Sequence, residues 1–252
     1  CVSLDFHQKL SVHADELLRG TVDVLIACNV LGHVDNVHDF VEGIKIALAP
    51  DGIAVIEVPH IVELLRHNAF DTIYHEHLSY WGIQPLMRLL SEHGLILQDA
   101  QPLEVHGGSL RFTVGHTGPI GQRVWSVFKY ENEERMREQQ AAFGQRCRAL
   151  ISQIDREMPP AGYGAAAKAT VLLNMLTRRP RVIYDDSPHK CGRLVPGTAT
   201  IIYKPCPADF KDLKELAILA WNWSDMLMAR ARALGFKGKF FVPLPEPRWE
   251  DA

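Results

Sequence analysis

The chain has 252 residues, 47% hydrophobic and 23% charged, a globular balance that suits one large domain or two small ones. A formal net charge of −3 gives no electrostatic basis for holding nucleic acid or an anionic membrane. No apolar run approaches the ~20 residues that a bilayer span requires.

Residues 1–10 show no charged-then-apolar leader and no initial Met, and the chain opens as if in mid-fold, so residues upstream are expected. TVDVLIACNV (21–30) is a continuous apolar run with β-branched residues, the pattern of a strand buried on both faces of a parallel sheet. HDFVEGIKIALAP (38–50) has helical periodicity and is punctuated by Pro50-Asp51-Gly52. GIAVIEVPH (52–60) is the next strand and IVELLRHNAF a short helix. QPLMRLLSEHG (84–94) is a further helix, with Pro85 in its first turn and Gly94 at its end. The segment from Leu95 to Thr117 reads as two strands around a Gly107-Gly108 turn. This succession predicts a mostly parallel sheet with an antiparallel edge.

Residues 119–157 are rich in Glu, Arg and Gln and predict one or two amphipathic helices bridging two units. In the second unit, Gly162 and Gly164 lie between a strand and the helix AAAKATVLLNML. RVIYDD (181–186) is a strand ending in two aspartates. A strand–helix pair follows, with Asn222 or Ser224 as the expected N-cap, and KFFVPLP closes the series. The predicted division is therefore 1–118, a helical bridge 119–157, and 158–252.

Two stretches carry chemistry. The turn at Gly164, with Lys168 in the first turn of the helix behind it, suits a phosphate at a helix N-terminus. His189, Lys190 and Arg193 follow the next strand and add three donors suited to a diphosphate. Asp185 and Asp186 stand where an acid meets ribose in dinucleotide folds, although GYGAAAK departs from GxGxxG. The bland reading is a tight turn with a solvated basic loop. The second stretch is FDTIYHEHLSYW (70–81), where Tyr74, His75, Glu76 and His77 place a phenol, two imidazoles and a carboxylate in a row. A metal site needs three or four ligands, and His75-x-His77 supplies two, so no metal is expected. A polar turn and proton transfer by His75 or His77 both remain open. Five scattered cysteines without CxxC spacing argue against a disulfide framework or a cysteine zinc site and favour a reducing cytoplasm.

FDTIYHEHLSY, VHGGSLR (105–111), GYGAAAK (162–168), DDSPHKCGRLVPGT (185–198), AWNW (220–223) and VPLPEPR (242–248) occur in this order. Together they resemble the nucleotide-sugar C-methyltransferase family, which adds a branching methyl at C3 of 4-keto deoxysugars. The resemblance runs from about residue 20 to residue 248. It implies an α/β fold: an incomplete Rossmann-like class I methyltransferase domain using S-adenosylmethionine, and a second Rossmann-like domain holding the nucleotide sugar. The family's N-terminal zinc module and the cofactor's glycine loop have no counterpart here, so zinc is expected only in that absent module. By the same resemblance His77 would be the base, with Tyr74 and Glu76 contacting the sugar or tuning it. His106, Gly107 and Gly108 would approach the sugar, and Tyr163, Gly164, Lys168, His189, Lys190 and Arg193 the diphosphate and nucleoside. Asp5 and Phe6 would lie near the adenine, and Asn29 and His33 near the methionine end. An NAD(P)-dependent oxidoreductase and a non-catalytic nucleotide-sugar-binding fragment are the alternatives.

Overall fold

The computed structural model describes residues 10–252, and the chain divides into two compact units. Within the described residues, the first comprises 10–67 and 75–141 and the second 68–74 and 142–252.

The first unit begins with α1 (Leu10–Leu17), β1 (Val22–Cys28) and a 3-10 turn at Leu31–His33. Next come α2 (Val37–Ala47), β2 (Leu48–Pro59), α3 (Ile61–Arg66) and α4 (Ile83–Glu92). β3 (Ile96–Leu103) and β4 (Ser109–Gly115) flank a second 3-10 turn, Val105–Gly107, and α5 (Gln122–Tyr130) follows. The strand order is β1-β2-β4-β3, with β1 and β2 parallel and the other neighbours antiparallel. Period-two burial explains the core. Ala54, Ile56 and Val58 of β2, and Leu110, Phe112 and Val114 of β4, face the apolar stripes of α2 and α4. Each such large side chain contributes about 1.5–3 kcal/mol by leaving water.

Two expectations change here. β1 is not buried on both faces: Ala27 faces the core, but Val24 and Ile26 are 57% and 71% exposed. The strand pairs only with β2 among the described residues, and the core helices pack against one side of the sheet. Nor does Pro50-Asp51-Gly52 end the helix with a free turn. β2 runs through it, and the irregularity is absorbed where Leu48 pairs with Val22 but Ile53 with Val24. Gly52 is required there, because a Cβ would lie 2.4 Å from the Val22 carbonyl.

The long helix α6 (Glu133–Glu157) contains the division between the units, which falls between Ala141 and Ala142. Thus the expected bridge 119–157 is a pair of helices, but α5 belongs to the first unit and α6 from Ala142 onward to the second.

The second unit contains β5 (Ala161–Tyr163), α7 (Ala167–Met175), β6 (Val182–Tyr184) and β7 (Ile201–Tyr203). α8 (Pro207–Lys211), β8 (Glu215–Ile218), α9 (Ser224–Ala233), β9 (Lys239–Val242) and β10 (Arg248–Asp251) complete it. Its strand order, β10-β9-β8-β5-β6-β7, is parallel except at the β10 edge. The connections run outward to opposite sides from β5 and β8, so the topological switch point lies between these strands. Tyr163, Leu172, Phe210, Leu216 and Phe240 are buried in its core. The start of α9 is not capped by Asn222 or Ser224. Trp223 occupies the N-cap position without a side-chain bond, because the preceding residues form a 3-10 turn.

Candidate active site

In the first unit the carboxyl ends of β1 and β2 lie side by side, where ligands bind in open α/β sheets. The chain leaves β1 through Asn29, whose φ of 55° turns it sharply and whose amide donates to the Glu57 carbonyl at 2.8 Å. Asn tolerates this left-handed geometry better than most residues. The Leu31–His33 turn follows and leaves His33 exposed.

The stretch 75–82 is tied to that turn. The amides of Leu78 and Ser79 donate to the Gly32 carbonyl at 2.8 and 3.2 Å, and the Ser79 hydroxyl donates to the Leu31 carbonyl at 3.4 Å. The Trp81 indole N–H donates back to Ser79 Oγ at 2.9 Å. As a result His77 and His33 meet edge to face, ring centroids 4.8 Å apart at 76°, and Tyr80 stands edge-on to His77 at 6.2 Å. Glu76 is exposed, with an oxygen 3.9 Å from His75 Nε2. Tyr74 is half-buried and belongs to the second unit, with residues 68–73.

His106 lies in the Val105–Gly107 turn. Gly107 and Gly108 both have positive φ, 88° and 111°. A Cβ at Gly107 would meet nothing within 4 Å, whereas one at Gly108 would lie 2.3 Å from Glu63 Cβ. Gly108 is thus dictated by its approach to α3, and its carbonyl accepts the His60 amide at 3.0 Å.

Two buried carboxylates were not legible as site elements. Glu57, only 6% exposed, accepts both Nε and Nη2 of Arg111 from the opposed position on β4, at 3.1 and 2.8 Å. Glu131, 4% exposed, holds His60 Nε2 at 2.7 Å and the Ile83 amide at 2.6 Å. The first was within reach of a cross-strand pairing argument; the second joins residues far apart in sequence and left no local signal.

In the second unit Gly164 has a φ of 94°, and a Cβ would lie 2.8 Å from Ala220 Cβ, so glycine is required where β5 leaves the sheet beside β8. The loop is satisfied from within. Asp185 accepts the amides of Ala165 and Ser187 at 2.7 and 2.9 Å, and Lys190 Nζ bridges the Ala165 carbonyl and Asp185 at 2.9 and 3.2 Å. Asp185 therefore shapes the loop instead of standing outward for a ribose. Tyr163 is buried and donates to Asp186 at 2.5 Å. Burial and that carboxylate raise its pKa, so the phenol stays protonated, with its proton committed to Asp186.

Lys168, in the first turn of α7, faces the buried Asp71 carboxylate at 3.5 Å. Ala166, at the N-cap of α7, makes no side-chain hydrogen bond, so the first amides of this helix are not spent on a capping side chain. His189 and Arg193 are exposed beyond β6, whereas Lys190 is turned inward. The structure thus gathers His33 with His77, and Lys190 with the Gly164 loop, but separates Lys190 from the roles of His189 and Arg193. Asp5 and Phe6 lie outside the described residues.

Asn29 and His33 both follow the carboxyl end of β1, beside the parallel strand β2. Among the described residues no group of three or more His, Cys, Asp or Glu is placed to hold a metal ion, and no helix is long and apolar enough to cross a membrane.

Residues 104–245 match the profile of the C-methyltransferase C-terminal domain, and residues 3–99 that of a methyltransferase domain. The C-methyltransferase NovU of Streptomyces niveus is 33% identical over 247 residues, which cover 91% of this chain and 59% of that protein. The chain thus spans about three fifths of the length of this relative.

Proposed function

Because the chain belongs to the C-methyltransferase family, we propose that it acts with S-adenosylmethionine on a nucleotide-diphosphate 4-keto-deoxysugar, adding a methyl at C3, beside the ketone, in the cytoplasm. The observation that carries this reading is the meeting of His77 and His33 at the carboxyl ends of β1 and β2.

A C–H next to a ketone is weakly acidic, so its removal needs a placed base and stabilisation of the enolate oxygen. His77 is that base. The proton passes from C3 to an imidazole nitrogen, and the electron pair left behind is shared between C3 and the ketone oxygen, making C3 the nucleophile. His33 sets the plane of the His77 ring from its edge. Tyr74 and Glu76 contact the sugar or tune the base, and the turn at His106, Gly107 and Gly108 approaches the sugar. Asn29 and His33 would hold the methionine end of the cofactor, which supplies an electrophilic methyl group when bound.

The second unit is the nucleotide-sugar domain in this reading. The first amides of α7 with Lys168, and the exposed His189 and Arg193, take the diphosphate. Gly164 gives the backbone its close approach, while Tyr163 and Lys190 support the loop from inside. A dinucleotide oxidoreductase is disfavoured because Asp185 is spent on Ala165, Ser187 and Lys190.

The test uses the complete natural protein with a thymidine-diphosphate 4-keto-deoxysugar in D2O. Deuterium should enter C3, and with S-adenosylmethionine the product should gain one methyl. A protein that binds both ligands yet catalyses neither event would sink the reading.

A further inference from the structure

Beyond the base itself, the first unit contains a buried device that fixes where the base stands. His60 lies at the end of β2 with 1% exposure, and its Nε2 meets Glu131 Oε1 at 2.7 Å. The carboxylate partner assigns the Nε2–H tautomer and leaves the Nδ1 lone pair, which is buried without a hydrogen-bond partner among the described residues.

The other oxygen of Glu131 accepts the Ile83 amide at 2.6 Å, at the start of α4. Between His77 and Ile83 the chain is pinned repeatedly. Leu78 and Ser79 hang on Gly32, Trp81 bridges to His60, and the Trp81 carbonyl accepts the Ile61 amide at 3.0 Å. Gly82 closes the gap, since a Cβ there would lie 2.7 Å from Glu131 Oε2. The His60 amide also donates to the Gly108 carbonyl, so the same node holds the glycine turn.

We propose that Glu131, acting through His60 and the Ile83 amide, is a positioning residue for the His77 loop. This rests on the reading of His77 as the base. Removing the carboxylate frees the start of α4, and the loop then loses this anchor while keeping those at Gly32 and the Ile61 amide. A displacement on the order of 1 Å at a reacting group lowers rate by about 10²-fold without loss of binding.

The test compares Glu131→Ala, Glu131→Gln and His60→Gln in the complete protein, with kcat expressed per folded, ligand-binding molecule. Glu131→Ala is expected to lower kcat about 10²-fold and slow C3 deuterium exchange in parallel, with KM for both ligands changed by less than about threefold. Glu131→Gln, whose one carbonyl still accepts the Ile83 amide while its NH2 faces His60 Nε2 and requires the Nδ1–H tautomer there, should recover part of the loss. His60→Gln, which keeps a donor in place of Nε2–H, should do the same. If Glu131→Ala fails to fold, the two glutamine variants carry the test against the double variant Glu131→Gln/His60→Leu, which has no polar contact between the two side chains and is expected to be slower than either. Histidine NMR signals of His77, assigned with His77→Asn, give a readout independent of activity. They should shift or broaden in Glu131→Ala. Should the wild type prove inactive, shifted signals uphold the positioning and only the function fails. Unchanged signals, or an unchanged kcat in an active enzyme, overturn the proposal.

Discussion

In the N-terminal unit the loops beyond the parallel strands bring His33 and His77 together on an exposed and a half-buried turn, whereas in the C-terminal unit the equivalent loop spends Asp185 and Lys190 on its own backbone. Both are the carboxyl ends of parallel strands, the same place in the same kind of fold. One end presents titratable side chains and secures its shape from behind, through Glu131. The other turns Asp185 and Lys190 onto its own backbone and leaves the first amides of α7 without a capping side chain. Chemistry and anion binding ask for these different economies of structure: a base must be accessible to the atom it deprotonates, while a phosphate cradle needs only amides in fixed places.

If that contrast is right, the largest effect belongs to the presented side chain. His77→Asn is expected to lower kcat by about 10³-fold while the binding of both ligands, read by calorimetry, is unchanged. A variant with near-normal deuterium exchange at C3 would move the base elsewhere, His75 being the first alternative. Next comes the carboxylate that shapes the other loop. Asp185→Ala strands the Ala165 and Ser187 amides and the Lys190 ammonium, and should destabilise the second unit by about 2–3 kcal/mol in urea unfolding. Sugar-nucleotide binding should weaken with it, and cofactor binding should not. Tighter sugar-nucleotide binding would mean that the freed Ala165 amide joins the cradle. Gly164→Ala ranks third. A Cβ at φ 94° and 2.8 Å from Ala220 should cost about 1–3 kcal/mol and act on the same binding step. Equal losses in cofactor affinity would erase the distinction between the units.

Local pattern was enough for much of this. The apolar run of β1, the periodicity of α2 and α4, the glycine hairpin between β3 and β4, and the Gly164 turn each follow from neighbours in sequence. Short elements escaped because three or four residues carry no period: β7 alternates exposed and buried over Ile201–Tyr203, and β10 is an exposed edge. The candidate site could be proposed from residue types, but its partnerships could not be read. Nothing around Glu131, in a run of glutamates and arginines, distinguishes the one that is buried against His60. Asp71 precedes the histidines in sequence, yet it belongs to the second unit, where its carboxylate faces Lys168 of the same unit. Asp185 had the position of a ribose ligand, and only its hydrogen bonds reveal that the loop uses it first.

The smallest effect tests whether the second unit relies on inward carboxylates away from its ligand loop as well. Asp155, near the end of α6, accepts the amides of Thr177 and Arg178 at 2.7 and 2.8 Å and the Thr177 hydroxyl. Burial works to raise its pKa, but these hydrogen bonds and the Arg178 charge outweigh it and hold the carboxyl below its ordinary value. A carboxyl depressed on folding stabilises the native state above its unfolded pKa and loses that contribution as pH falls through the folded value. Asp155→Asn should therefore lower stability at neutral pH by about half a kcal/mol, since solvent screens this half-buried site. The difference between wild type and variant should shrink below about pH 4. Urea midpoints measured at neutral pH and at successively lower values check the sign. A gap that widens on acidification would show that the hydrogen bonds to Asp155 do not favour its charged form, and that the inward use of carboxylates is confined to the Gly164 loop.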